Sequence, residues 1–253
     1  MSLGPRAFLI VCPMLFLAGL VDSVAGGGGL ISLPAYLLAG LPAHMAIGTN
    51  KLSSACGTSL ATARFIRRGL VNRRLALPGV AAAILGSTLG ARLSLITDER
   101  LIRQVLFFVL PLAALIVLNR RLFPEREEGE PRLDRRTLAA CTLSALIIGC
   151  YDGFYGPGTG TFLIIAFTVF ARLAVPTANA HAKVINLTTN LSSLAVFLHG
   201  GTVLIPLGLA GAACNMLGNY IGSGLAMKGG ARFTRPVILL VLALLLIKLL
   251  TEG

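Results

Sequence analysis

The sequence predicts an all-α polytopic membrane protein built from two inverted-topology repeats. Three observations lead to this prediction: the length and number of the apolar segments, the recurrence of glycine and polar positions in the two halves, and the opposite charge of equivalent loops. Each repeat is predicted to contain a broken or re-entrant helix pair followed by three transmembrane helices.

The composition is typical of a membrane protein. Apolar residues make up 55% of the chain and charged residues 13%, with a mean hydropathy of +0.83; soluble domains carry about 25% charged residues. Runs close to the roughly 20 residues that span a hydrocarbon core recur throughout, most clearly at 101–118 and 236–250. A soluble all-α protein would need amphipathic helices with a charged face, and these segments have none.

The net charge of +12 does not indicate nucleic acid as a partner. The basic residues cluster in short loops between apolar segments, as expected for loops on the cytoplasmic side of a membrane. The partner predicted from this pattern is the lipid bilayer. The five cysteines lie in apolar segments without a C-x-x-C pair, so no metal and no cofactor is expected.

An internal repeat divides the chain. The segment at 86–93 returns at 218–225, with glycine at its first and fifth positions. At the same spacing Lys51 pairs with Lys183, Phe65 with Phe197, Gly69 with Gly201 and Arg100 with Arg232. With a two-residue slip, Gly19, Asp22, Gly26 and Gly28 pair with Gly149, Asp152, Gly156 and Gly158. We therefore expect a first repeat at 1–123, a hydrophilic cytoplasmic linker at 124–136 and a second repeat at 137–253.

Each repeat is predicted to form five helical pieces. In the first repeat they lie at 6–24, 28–40, 44–66, 75–96 and 100–121, and in the second at 137–153, 158–171, 177–198, 206–227 and 233–251. The second piece of each repeat is too short to cross a bilayer, since about 14 residues at 1.5 Å rise span roughly 20 Å. It follows a glycine-rich break, so we expect a broken or re-entrant hairpin.

Loop charges predict that the two repeats are inverted. The loop after the third piece carries five arginines in the first repeat, whereas its counterpart at 199–206 carries no Lys, Arg, Asp or Glu. For the next loop the difference in charge is reversed. Residues 92–103 combine two acidic residues with three arginines, whereas 227–236 contain three basic residues and no acidic one. Because positive loops stay in the cytoplasm, equivalent loops lie on opposite sides and both termini are non-cytoplasmic.

Two pairs of polar, glycine-interrupted segments mark a candidate binding site. They are 22–29 with 152–161 and 46–54 with 180–190. Interrupted segments at matching positions in two repeats commonly surround the substrate of a transporter. Glycine backbone allows a ligand to approach closely, and a half-helix that begins after it offers free N–H groups and a positive dipole end to an anion.

The candidate substrate-binding residues combine these glycines with hydroxyl groups, amides and two lysines. They are Gly26, Gly27, Gly28, Gly29, Thr49, Asn50, Lys51, Ser54, Gly156, Gly158, Thr159, Lys183, Asn186 and Asn190. Simpler roles stay open, because glycines also serve helix packing and lysines can extend to the membrane interface. Asp22, Asp152 and His181 are candidates for proton coupling. The aspartates are equally suited to cap the next half-helix, and His181 to pack as a polar residue.

The pattern Gly-Leu-Val-Asp-Ser-Val-Ala-Gly-Gly-Gly-Gly at 19–29, together with Ala-Ile-Gly-Thr-Asn-Lys at 46–51, resembles the sulfite exporter TauE/SafE family of membrane permeases. The resemblance covers about 19–250. It implies transport of sulfur-containing anions such as sulfite, thiosulfate or sulfoacetate. It places family motifs on the candidate residues at 26–29, 49–51, 156, 158, 183, 186 and 190. The second copy departs from the pattern, since His181-Ala-Lys183 replaces Thr-Asn-Lys.

Together these features predict an exporter in the bacterial inner membrane that works by alternating access around a midplane site between the repeats. Its expected ligand is a small sulfur-containing oxyanion or organosulfonate, and a homodimer is a further expectation. No P-loop is present, so transport is expected to be secondary or facilitated. A passive anion channel is the main alternative. An intramembrane enzyme is less favoured, because the serines and histidines form no recognised catalytic motif.

Overall fold

The computed structural model describes residues 4–102, 104 and 133–227. Eight α-helices lie wholly in these ranges: α1 (Pro5–Ala25), α2 (Gly29–Leu38), α3 (Ala43–Arg67), α4 (Arg73–Ile96), α5 (Arg135–Phe154), α6 (Thr159–Val169), α7 (Val175–His199) and α8 (Ile205–Met227). Helical residues also occur at 99–102 and 104. These ranges contain no strand. The predicted helices at 100–121 (beyond its first residues) and 233–251, and the linker up to residue 132, lie outside the described residues.

The helix ends follow from local capping chemistry. The side chain of Asn72 accepts a hydrogen bond from the backbone N–H of Arg74 (3.0 Å) and begins α4. In the same way Asp134 accepts from the N–H of Thr137 (2.7 Å) and begins α5. These caps start both helices slightly earlier than predicted. The last two residues of the predicted linker, Arg135 and Arg136, therefore belong to α5.

Many large apolar side chains are exposed, and many polar side chains are buried. On α4 the leucines at 77, 85, 89 and 93 are exposed, whereas Ser87 and Ser94 are buried. Three of the described helices, α1, α4 and α5, are long and apolar enough to cross a membrane. A soluble protein rarely exposes so many large apolar side chains, and a lipid environment accounts for them.

Each of the short helices α2 and α6 completes a broken hairpin. α2 has 10 residues and α6 has 11, so each is about 15 Å long and shorter than a bilayer. The two breaks touch, because a Cβ placed on Gly160 would lie 2.5 Å from the Cα of Gly26. Thr161 at the start of α6 also donates a hydrogen bond to the carbonyl of Ala25 (2.7 Å). The hairpins therefore meet at the glycines that interrupt them.

The longer helices pack against helices that lie far away in the sequence. α1 packs on α8, and α4 packs on α5. Both contacts use glycines spaced four residues apart, which let two backbones approach closely. The glycines and the residues whose backbone they face are Gly86 with Leu146, Gly90 with Cys150, Gly218 with Phe16, and Gly222 with Leu20. Positions that correspond in the sequence thus make corresponding contacts.

Helices α3 and α7 run antiparallel to each other. Near the start of α3, the hydroxyl of Thr49 accepts a hydrogen bond from the N–H of Leu204, just beyond the end of α7 (2.9 Å). Toward the end of α3, Thr62 donates to the carbonyl of Lys183 near the start of α7 (3.1 Å). The turns that follow the two helices therefore lie at opposite ends of the α3–α7 pair.

Candidate functional site

A small polar cavity lies where the two broken hairpins meet α3 and α7. It is lined by Asp22, Gly26, Gly28, Gly29, Asn50, Lys51, Ser54, Thr58, Asp152, Gly156, Thr159, Gly160, Asn186, Asn190 and Asn215. Its volume is about 20 Å³, and a bound water needs at least about 10–15 Å³. In this conformation the cavity has room for water but not for an anion of several heavy atoms.

One ion pair joins α3 to α5 at the cavity. Nζ of Lys51 lies 2.9 Å from Oδ1 of Asp152, and the two side chains are only 1% and 2% exposed. The hydroxyl of Thr159, the first residue of α6, donates to the same carboxylate oxygen (2.8 Å). The pair therefore connects the third helix of the first repeat to the broken hairpin of the second.

A second ion pair joins α7 to α1. Nζ of Lys183 lies 2.8 Å from Oδ2 of Asp22, and this lysine is fully buried. The same ammonium group also donates a hydrogen bond to the backbone carbonyl of Asp22. The hydroxyl of Thr58 lies 3.5 Å from the paired carboxylate oxygen. In the first pair the lysine belongs to the first repeat and the aspartate to the second. In this pair the lysine belongs to the second repeat and the aspartate to the first.

The charges of the two pairs cancel. Removing one partner of a buried ion pair costs roughly 3–5 kcal/mol, because the other charge is left without compensation. Both lysines are buried within the described part of the chain. The N-cap residues of α2 and α6 are glycines, and no backbone N–H of the described residues donates to the carboxylate of either aspartate. The four side chains therefore form a neutral, buried electrostatic cluster around the cavity.

Comparison with known proteins identifies the family of the chain. The family model described as "Sulfite exporter TauE/SafE" matches residues 11–249, nearly the whole chain. The chain belongs to the TauE/SafE family. It is therefore a multi-pass membrane transporter.

Relatives of this TauE/SafE chain carry names of the same kind. It is 38% identical over 247 residues to "Probable membrane transporter protein ORF9" of Sinorhizobium sp, covering 97% of this chain and 92% of that protein. It is 35% identical over 246 residues to a "Probable membrane transporter protein" of Haemophilus influenzae, covering 95% and 93%. It is also 35% identical over 237 residues to YfcA of Escherichia coli K12, covering 94% and 87%. No solved structure matches the chain.

Most of the residues predicted to bind substrate in this TauE/SafE chain meet at the cavity. Those that line it are Gly26, Gly28, Gly29, Asn50, Lys51, Ser54, Gly156, Thr159, Asn186 and Asn190, together with both aspartates. Gly27, Thr49, Gly158, Lys183 and His181 are not among the lining residues. Lys183 lies directly behind Asp22, and Gly158 forms the left-handed turn that begins α6 (φ 82°).

Two of the predicted site residues hold the fold together instead. Thr49 accepts a hydrogen bond from the N–H of Leu204, as described above. At the equivalent position of the second repeat, Nε2 of His181 accepts from the N–H of Asn72 (3.2 Å). Nδ1 of the same ring lies 2.9 Å from the carbonyl oxygen of Thr177. Thr49 thus connects α3 to the turn before α8, and His181 connects α7 to the turn before α4. The structure does not bring His181 to the aspartates.

Three lining residues were missing from the predicted site. Thr58 lies on α3 beyond the recognised motif, and Gly160 lies within the first turn of α6. Asn215 lies on α8, where its amide NH₂ donates to the carbonyl of Leu15 in α1 (3.2 Å). An asparagine within an apolar helix is a signal for a buried polar contact, but its position relative to the cavity depends on how α8 packs.

Proposed function

We propose that the protein transports small sulfur-containing anions, such as sulfite, thiosulfate or sulfoacetate, across the bacterial inner membrane, in the direction of export. The observation that carries the proposal is the cavity at the meeting point of two helix breaks, with Lys51 in its wall. The specific substrate class comes from the TauE/SafE family, to which the chain belongs.

The chemistry of the cavity suits a compact oxyanion. Sulfite and sulfonate groups present several acceptor oxygens, which need several donors. The cavity wall offers the ammonium of Lys51, the amides of Asn50 and Asn186, and the hydroxyl of Ser54. The backbone at the starts of α2 and α6 adds N–H groups and the positive ends of two helix dipoles.

The transport mechanism proposed is alternating access, with the two repeats inverted and both termini non-cytoplasmic. Two features support it. The cavity of about 20 Å³ is too small for the substrate, as expected of a carrier conformation that has closed around its site and not of an open channel. In addition, α3 and α7 carry equivalent residues and run antiparallel, as two inverted repeats require.

The decisive experiment is ligand-induced thermal stabilisation of the purified full-length protein. Sulfite, thiosulfate, sulfoacetate, taurine, sulfate and chloride are tested over a concentration series. We expect a saturable rise in Tm with at least one sulfur anion, equivalent to about 2.7 kcal/mol at a concentration 100 times Kd. Chloride and sulfate at the same ionic strength should give a smaller rise.

A charge-neutral double variant provides the control. Lys51→Gln with Asp152→Asn removes the cavity cation without leaving a buried charge unpaired. The variant should keep a folded baseline and lose the anion-dependent rise in Tm. An unchanged rise would place the bound anion elsewhere. Wild-type protein that responds to none of the sulfur anions would contradict the proposed substrate class.

A further inference from the structure

The two Lys–Asp pairs correspond in sequence but have different surroundings. Lys51 forms part of the cavity wall, whereas Lys183 does not. Lys183 also binds both the carboxylate and the backbone carbonyl of Asp22, which fixes its ammonium to the end of α1. Among the described residues, the only acceptor of Lys51 Nζ is the carboxylate of Asp152. Lys51 therefore faces the cavity and is held by fewer bonds than Lys183.

The carboxylate of Asp152 has one oxygen without a partner. Its Oδ1 accepts from Lys51 and Thr159, but Oδ2 is buried and receives no hydrogen bond from any residue the structure describes. The corresponding aspartate has no such buried, unpartnered oxygen. A buried carboxylate oxygen without a donor is costly, and such an atom in a folded protein points to a proton, an ion or a water.

We propose that the Lys51–Asp152 pair is the exchangeable one: protonation of Asp152 releases Lys51 to bind the transported anion, while Lys183–Asp22 remains paired as a fixed strut. This inference rests on the proposed function and adds its coupling ion, the proton. The proton binds to the carboxylate of Asp152, and an oxygen of the anion replaces that carboxylate as acceptor from Lys51.

Charge balance favours moving the proton and the anion together. The cluster is neutral when both pairs are formed, so an anion alone would bring uncompensated negative charge into a buried site. A proton on Asp152 cancels one unit of that charge. Binding therefore strengthens as the pH falls. The anion moves from the side where the product of anion and proton activities is higher to the side where it is lower. Export therefore occurs when the excess of anion in the cytoplasm is larger than an opposing proton gradient.

The ionisable surroundings of Asp152 are few. The groups are Lys51 from α3, Asp22 from α1 with Lys183 behind it, and Tyr151 and Tyr155 on α5 itself. The hydroxyl of Tyr151 donates to the carbonyl of Pro157 (2.6 Å), and that of Tyr155 is buried without a partner. α6 contributes no ionisable side chain. Among the described groups, the paired aspartates are thus the carboxylates able to take up the proton, and Asp152 is the one with a fully buried oxygen that lacks a donor.

The test compares Asp152→Asn with Asp22→Asn in the full-length protein. Anion binding is measured by the shift in Tm between about pH 5.5 and 8, with a stabilising sulfur anion whose own charge does not change in this range, such as thiosulfate or sulfoacetate. Wild-type affinity should rise by up to about tenfold for each pH unit, as expected for one coupled proton. Asp152→Asn imitates the protonated carboxyl, so its affinity should be high and independent of pH. Asp22→Asn should retain the pH dependence, whatever its absolute affinity.

Transport in proteoliposomes gives a second readout. Asp152→Asn should still exchange labelled anion for unlabelled anion but should no longer accumulate it in response to a pH gradient. If the buried charge of Lys183 prevents Asp22→Asn from folding, Asp22→Asn with Lys183→Gln replaces it and should keep pH-driven accumulation.

The outcomes are separable. Retained pH dependence in Asp152→Asn overturns the proposal, whichever result Asp22→Asn gives. Tightening of anion binding by Na⁺ at constant pH also overturns it, because the vacant oxygen is then a sodium ligand. Wild-type protein that binds and transports no sulfur anion contradicts the proposed function itself.

Discussion

Gly156 leaves room for the Lys51–Asp152 pair. It lies in the break between α5 and α6 with φ +103°, a backbone conformation that residues with a side chain rarely adopt. A Cβ at this position would lie 2.8 Å from Oδ1 of Asp152 and 3.0 Å from Nζ of Lys51. The absence of a side chain is therefore required both by the backbone and by the two charged groups.

Replacing Gly156 with alanine should impair the site. Holding a non-glycine residue in this conformation costs about 1–3 kcal/mol, and the added methyl would push on the ion pair. We expect a lower Tm and loss of the anion-dependent rise in Tm. Gly27→Ala is the matched control, because Gly27 belongs to the other glycine break and a Cβ there has no atom closer than 3.6 Å. Equal effects of the two substitutions would mean that Gly156 has no special role.

At the residue scale, the sequence predicted most of the site but not its electrostatics. Asp22, Lys51, Asp152 and Lys183 stand out as charges within apolar sequence at equivalent positions of two repeats. Each repeat holds one acid and one base, so pairing within a repeat and pairing between repeats are equally consistent with the sequence. Only the three-dimensional structure, which brings Lys51 to Asp152 and Lys183 to Asp22, decides between them.

At the element scale, close helix packing replaces hydrophobic burial as the source of cohesion. Between helices in lipid there is no gain from removing apolar surface from water, so tight backbone contact matters more. The glycines of α4 supply it against α5, where a Cβ on Gly90 would overlap the backbone carbonyl oxygen of Cys150. The same glycine spacing recurs in α8 against α1.

Gly90→Ala should therefore destabilise the protein. Intrinsic helix propensity alone would favour alanine by about 1 kcal/mol. The clash with a rigid backbone carbonyl works in the opposite direction and forces the helices apart, at a typical cost of about 1–3 kcal/mol. We expect a net decrease in Tm. Ala81→Leu, on an exposed position of the same helix, should leave Tm nearly unchanged. A Gly90→Ala variant more stable than wild type would show that propensity prevails over this contact.

Helix positions were largely predictable because apolar runs, glycine breaks and prolines mark them directly. The early starts of α4 and α5 were not, since they depend on whether the side chains of Asn72 and Asp134 turn toward the helix. The sequence also did not predict which helices pack against each other. A glycine spacing of four residues predicts that a helix packs closely but does not identify the helix it packs against.

At the scale of the whole molecule, the two predicted repeats are interlocked. α1 of the first repeat packs on α8 of the second, α5 of the second packs on α4 of the first, and both ion pairs cross between the repeats. A motion that separated one repeat from the other would break all of these contacts together. The α1–α8 and α4–α5 pairs make the most extensive helix contacts of the described residues, so we expect each pair to move as a unit relative to the other.

The membrane class and the internal repeat follow from hydropathy and recurring residues, which are properties of the chain alone. The contacts of α1 with α8 and of α4 with α5 do not follow from them, because they depend on long-range packing. The side of the membrane on which each loop lies depends in addition on the bilayer. Loop charge and the antiparallel course of α3 and α7 point to the same arrangement, and it can be tested directly.

Arg67 and His199 are suited to that test, because they are the last residues of α3 and α7 and both are exposed. Each is changed to cysteine in a variant whose five native cysteines are replaced. With a membrane-impermeant maleimide, we expect labelling of position 199 in intact cells and labelling of position 67 only after permeabilisation. The reason is that arginine-rich loops, such as the one after α3, stay in the cytoplasm. Because α7 runs antiparallel to α3, its last residue should lie on the opposite side of the membrane. Labelling of both positions in intact cells, or of both only after permeabilisation, would contradict the inverted arrangement and, with it, alternating access between two inverted repeats.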